Sequence, residues 1–140
     1  MEKIRLDQLC KMRIEHLAIW TDDIELLRQF YMKYFNMSCG EKYINAKKSY
    51  VSYFLSFGND KTRIELMHIP ELVQNSACRG YVKGLAHFSI SVGGKEEVNI
   101  LTELLRKDGF TVVSEPRTTG DGYYESVISD PEGNYVEITE

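Results

Sequence analysis

Two stretches of this 140-residue chain repeat one another, and the repeat limits the possible folds more than any other feature of the sequence. Glu15-His16-Leu17-Ala18-Ile19 and Ala86-His87-Phe88-Ser89-Ile90 are both short alternating runs with a histidine in the same phase. A helical pattern follows each. In the first half Ile24, Leu27, Phe30, Tyr31, Tyr34 and Phe35 recur at helical spacing, behind Asp22 and Glu25, which read as an N-cap and its partner. In the second half Val98, Leu101, Leu104 and Leu105 give the same stripe, and Asp108-Gly109 ends it.

Short β-like runs come next in both halves. They cover 42–46, 50–57 and 62–69 in the first, and 110–114, 123–129 and 135–139 in the second. Gly58-Asn59-Asp60-Lys61 and Asp130-Pro131-Glu132-Gly133-Asn134 have turn compositions between two such runs. The last strands also match, Arg63-Ile64-Glu65-Leu66 against Tyr135-Val136-Glu137-Ile138. His87 follows His16 by 71 residues and Glu137 follows Glu65 by 72. The sequence therefore predicts an α+β fold of two βαβββ modules. Module 1 spans about 13–69, a linker 70–84, and module 2 about 85–140, with 1–12 as an N-terminal extension.

Strand alternation places the polar repeats together. Residues two apart share a face, so His16 lies with Ala18 and Trp20, and Glu65 with Met67 and Ile69. His87 lies with Ser89 and Ser91, and Glu137 with Tyr135 and Thr139. The apolar residues between them face the helices. A sheet with a helix behind it leaves its other face concave, and two such sheets placed together would enclose a cavity. Four polar side chains converging there need compensation, because unpaired buried charge is costly. One divalent cation supplies it, since two neutral imidazoles and two carboxylates balance a 2+ charge. Nitrogen and oxygen donors suit Ni, Zn or Co, and also Mn or Fe. A single strand histidine is ordinarily a structural hydrogen-bonder. Here two of the chain's three histidines occupy equivalent repeat positions, each paired with a glutamate, which favours a site. His68 has the opposite phase to Glu65 and no repeat mate, and reads as a surface residue.

Other chemistries fit less well. Cys10, Cys39 and Cys78 are odd in number, far apart and free of any C-x-x-C spacing, which argues against a disulfide framework or a thiolate zinc site. A net charge of −4 without charge blocks gives no footprint for nucleic acid or an anionic membrane. No apolar run reaches the roughly 18 residues of a membrane span, and the N-terminus has no signal-peptide core. A cytoplasmic protein with a small-molecule substrate is expected.

With these residues in view, 13–140 resembles the vicinal oxygen chelate superfamily, which includes the glyoxalase and bleomycin-resistance proteins. The resemblance rests on Ile14 to Ile19, Phe30-Tyr31, Arg63 to Leu66, Gly84 to His87 and, most specifically, Asp130 to Glu137. A His, Glu, His, Glu set in this order is similar to glyoxalase I, a lactoylglutathione lyase. That implies an enzyme moving a proton on a metal-chelated substrate through an enediolate. It also implies Glu137 as the catalytic base, with Glu65 second, and a homodimer whose metal takes ligands from both copies. The same superfamily can also pair its modules within one chain. The alternatives it offers are a methylmalonyl-CoA epimerase-like enzyme, which usually has Gln where this chain has Glu65, a fosfomycin thiol-transferase-like enzyme, and a non-catalytic binding protein. By the same resemblance Trp20, Met67, Ile69, Lys83 and Tyr135 would contact substrate. Trp20 stands where a basic glutathione anchor is usual and Ile69 where Asn is usual, while Lys83 keeps its basic type. The metal chemistry would be kept and the hold on glutathione largely lost.

Overall fold

A computed structural model describes residues 12–74 and 79–140. The proposed extension, apart from Met12, lies outside the described residues, as do Cys10, Cys78 and part of the linker. Cys39 is a half-buried free thiol.

The first module opens with β1 (His16–Trp20) and α1 (Ile24–Phe35). Two short strands follow, β2 (Ser38–Cys39) and β3 (Tyr43–Asn45), then β4 (Tyr50–Ser56) and β5 (Arg63–His68). They form a sheet of order β1-β5-β4-β2, with β3 also on β4. The second module is β6 (Phe88–Ser91), α2 (Lys95–Lys107), β7 (Val112–Thr118), β8 (Tyr124–Ser129) and β9 (Tyr135–Thr139), with sheet order β6-β9-β8-β7. In each sheet the first strand pairs in parallel with the last, and the remaining pairs are antiparallel. The expected α+β architecture of two related modules is the one observed.

Several details differ from the sequence expectation. The N-cap of α1 is Asp23, whose Oδ1 accepts from the Leu26 amide at 2.9 Å. Asp22 lies one residue before the cap, and its amide donates to Glu132 Oε1 at 2.9 Å. The run 42–46 is only part of its strand. The edge beside β4 is split into β2 and β3, and the Gly40 amide between them still donates to Phe54 O at 2.9 Å. In α2, Leu104 is exposed, and the buried stripe is Val98, Thr102 and Leu105. Thr102 is tolerated there because its hydroxyl contacts Val98 O and Ser126 Oγ at 2.6 and 2.7 Å. The helix stop stands where expected: Gly109 follows Asp108 with φ +91°, a conformation suited to glycine.

The inward faces of both sheets and both helices share one buried core, with Leu27, Tyr31, Leu55, Leu66, Leu105, Ile128, Val136 and Ile138 fully enclosed. Helix α1 bridges the modules. Phe30 meets Phe110 edge-on at 4.9 Å and Tyr31 lies 6.2 Å from Phe88. The Tyr34 hydroxyl donates to Asp108 at 2.5 Å, and Thr21 Oγ1 donates to Glu132 at 2.7 Å. Because both modules spend their apolar faces on this common core, their other faces point outward.

Candidate functional site

His16 is the first residue of β1, and Ala18, two residues on, is the register partner of Glu65. His87 immediately precedes β6, and Ser89, two residues on, is the register partner of Glu137. The two sheets thus present the same His–Glu pair in the same register. His16 Nε2 lies 3.4 Å from Glu65 Oε2, and His87 Nε2 lies 3.2 Å from Glu137 Oε2. The glutamate side chains are only 14% and 15% exposed, so their charge is poorly screened by water, whereas the imidazoles are 38% and 44% exposed.

The second oxygen of each glutamate is also held, by different residues. The Tyr50 hydroxyl donates to Glu65 Oε1 at 2.8 Å, and the Ser89 hydroxyl donates to Glu137 Oε1 at 2.7 Å. Ala18 stands where module 2 has Ser89 and has no hydroxyl, so module 1 reaches across from β4 instead. Each carboxylate keeps one oxygen aimed at an imidazole nitrogen. That is the donor pattern of a hard divalent cation with mixed N and O ligands.

The modules differ in their surroundings. His16 Nδ1 is in hydrogen-bond contact with Glu15, whose other oxygen accepts from Arg63 Nε and Nη2 at 3.0 and 2.6 Å. Beside Glu137 lies Glu125, 13% exposed, with Arg117 Nη2 at 3.6 Å. Burial, then the Glu137 charge and a hydrogen bond to that residue, push the Glu125 carboxyl up. Two neighbouring carboxyls with so little solvent form a negative patch that a cation would relieve. Tyr50, Ser89, Glu15, Arg63 and Glu125 were not singled out by sequence reasoning. The alternation rule could have flagged Glu125, which lies two before Val127, the register partner of Glu137.

The wall residues separate into two groups. Trp20, Ile69 and Lys83 line one cavity of about 580 Å³, beside Asp22 and Val82. Trp20 also borders a smaller cavity of about 240 Å³ with His87 and Tyr135. Met67 pairs with Trp20 across β1 and β5. Trp20 meets Tyr50 edge-on at 6.3 Å, which ties the wall to the residue holding Glu65. His68 is not a plain surface residue. It is half-buried, and its Nδ1 lies 2.8 Å from Thr21 O.

One chain does not gather all four candidate ligands. Among the described residues, no group of three or more His, Cys, Asp or Glu is close enough to hold a metal ion. The two His–Glu pairs lie apart from one another in the single chain. Among the described residues, no helix is long and apolar enough to cross a membrane.

Known structures with the same fold include glyoxalase I from Zea mays, with a TM-score of 0.75 and 22% identity over 91% of this chain. This chain spans 44% of the length of that maize protein. A trypanothione-dependent glyoxalase I from Leishmania major gives a TM-score of 0.74 at 21% identity, covering 93% of this chain and 87% of the other. A possible glyoxalase from Bacillus cereus gives 0.67 at 25% identity, covering 92% and 99%. The first two likenesses, at such identities, show the fold alone. No curated protein matches the chain. The family model of the glyoxalase/bleomycin resistance protein/dioxygenase superfamily matches residues 13–138, and the chain belongs to that superfamily.

Proposed function

We propose that this protein is a divalent-metal-dependent lyase or isomerase of the glyoxalase I kind, acting as a homodimer on a small molecule with two neighbouring oxygens. The observation that carries this reading is the duplicated half-site. Each module offers an imidazole Nε2 and a carboxylate Oε2 within 3.4 Å, with the other carboxylate oxygen held by a hydroxyl. Two half-sites on outward faces become one four-ligand site when module 1 of one copy meets module 2 of another.

In that reading His16, Glu65, His87 and Glu137 hold the metal, with Ni, Zn or Co preferred over Mn or Fe. When bound, the cation supplies a Lewis acid for the paired oxygens of the substrate. Glu137 takes the proton from the carbon beside those oxygens and returns it to the neighbouring carbon, so no net proton is consumed. Ser89 keeps one Glu137 oxygen occupied, and the other, which faces His87, would loosen from the metal to take the proton. Glu65, fixed by Tyr50, is the alternative base. Trp20, Met67, Ile69 and Tyr135 shape the walls, and Lys83 supplies the cationic group beside Trp20 and Ile69.

The apolar pair Trp20 and Ile69 supports a second reading on the same metal, an epimerase of an acyl thioester or a thiol transferase that does not use glutathione. A glutathione carboxylate placed against them would lose about 1–3 kcal/mol of compensation. A sequestering protein without catalysis is the remaining alternative.

Elemental analysis of the purified protein beside its His87→Ala variant tests the metal. About one ion per chain, lost in the variant, is expected for a site with four protein ligands. A wild type that is metal-free and refuses added Ni, Zn and Co would overturn the reading. With a working substrate, Glu137→Gln should lower turnover by about 10²–10⁴-fold. Full turnover in that variant would remove Glu137 from the role of base.

A further inference from the structure

We infer that Glu15, clamped by Arg63, is a positioning residue that fixes the ring of His16 so that Nε2, and not Nδ1, is offered to the metal. This rests on the reading of His16 as a ligand, and goes beyond it by naming what holds that ligand. The residues form a closed ring. His16 Nδ1 contacts Glu15, and Glu15 Oε1 accepts two bonds from Arg63. The Arg63 guanidinium lies 3.9 Å over Phe54, and Phe54 meets the His16 ring edge-on at 5.5 Å.

A carboxylate only accepts hydrogen bonds, so the contact with Glu15 requires the proton on Nδ1. In the neutral ring Nε2 then carries the lone pair. That lone pair faces Glu65 Oε2, itself an acceptor, at 3.4 Å. Two acceptors facing each other repel, and a divalent cation held by His16 and Glu65 would relieve that repulsion. An oriented ligand loses less freedom on binding, and a carboxylate on the far nitrogen makes the ring a better donor.

Module 2 lacks this device. Ala86 and Tyr135 stand where module 1 has Glu15 and Arg63. The two histidines, equivalent by repeat, are therefore supported unequally, and His16 is the more firmly placed.

The test uses the whole protein with Zn²⁺ as probe. Competition with a chromophoric chelator should show about a 10–100-fold loss of affinity in Glu15→Ala. Glu15 also carries a charge near the cation, so a second readout separates orientation from charge. Long-range ¹H–¹⁵N spectra of the zinc-loaded protein should show His16 protonated at Nδ1 and metallated at Nε2. Zinc on Nδ1 would overturn the inference. Arg63→Met gives a sign test. Removing a positive charge would tighten zinc binding if Arg63 acted through charge alone, whereas loss of the clamp loosens it; tightening overturns the inference. His16→Ala is the control. If it loses zinc while Glu15→Ala binds like wild type, only the role of Glu15 fails. If His16→Ala itself binds like wild type, the metal site fails and takes this inference with it.

Discussion

The Tyr50 hydroxyl donates to Glu65 Oε1 at 2.8 Å, from a strand paired antiparallel to that of the glutamate. Ser89 does the same for Glu137, from the strand on which the histidine-bearing segment continues. Tyr50→Phe and Ser89→Ala each free one carboxylate oxygen without touching the candidate donor atoms. Each should weaken Zn²⁺ affinity about tenfold or more, measured by chelator competition. The double variant should depart from the sum of the two effects, because both glutamates would hold the same ion. Unchanged affinity in both variants would mean that neither bond organises a metal ligand.

A further polar contact joins the modules, besides Tyr34–Asp108 and Thr21–Glu132. The buried Tyr31 hydroxyl donates to Asp130 Oδ2 at 2.7 Å, while Asp130 Oδ1 accepts from the Glu132 and Asn134 amides at 2.9 Å. Tyr31→Phe leaves the turn bonds intact and should cost about 1–2 kcal/mol, read from urea midpoints. Burial pushes the Asp130 carboxyl up, so the folded state holds its proton more tightly than the unfolded chain. Its titration therefore adds stability at low pH, and that contribution is lost as pH rises through the folded pKa. Carboxyls common to both proteins cancel in a comparison with Asp130→Asn. The stability gap between wild type and variant should widen from pH about 7 to about 4. A gap that narrows would reverse the assigned direction.

The repeat made most of this architecture legible. Strand alternation alone placed His16, Glu65, His87 and Glu137 on faces turned away from the helices, because that face is fixed by apolar partners such as Ile64, Leu66, Val136 and Ile138. What alternation could not show is where the two modules put those faces. That is decided by α1, whose Phe30, Tyr31 and Tyr34 reach Phe110, Phe88 and Asp108 across the core. No local pattern announces such contacts. The residues supporting the site were hidden for a similar reason. Glu15 precedes β1 and by phase belongs to the opposite face, yet its side chain turns back to His16 under the pull of Arg63. Tyr50 read only as an aromatic at the start of a strand.

If the metal site is shared between copies, two defective chains can restore one another. A heterodimer of His16→Ala and His87→Ala chains would hold one site with both defects and one with neither. Co-expression with two different tags and tandem purification should yield about one Zn²⁺ per heterodimer, while each variant alone binds little. A site built within a single chain predicts none in the mixture, since each chain carries its own defect.

The cavity walls make the sharpest statement about substrate. Trp20 and Ile69 face the same cavity as Lys83 and Arg79, so a substrate arm entering there meets apolar surfaces and two cations, of which Arg79 already lies 3.8 Å from Glu132. A glutathione adduct of methylglyoxal brings carboxylates that would compete with Glu132 for Arg79 and be repelled by Asp22 and Glu71 of the same wall, leaving Lys83 as the one uncommitted cation among the described lining residues. Turnover of that adduct should fall below the kcat/KM of about 10⁴ M⁻¹s⁻¹ at the low end for ordinary enzymes. Trp20→Arg with Ile69→Asn should raise it, since each new polar group that pairs a substrate charge contributes about 1.5–3 kcal/mol, or roughly tenfold and more in rate constant. The gain should appear mainly in KM, because the new groups touch the arm and not the reacting carbons. Efficient turnover by the wild type would show that Lys83 and Arg79 suffice for glutathione. A double variant that binds zinc normally but gains nothing would show that the arm enters elsewhere, and the smaller cavity between His87, Tyr135 and Trp20 would then be the place to look.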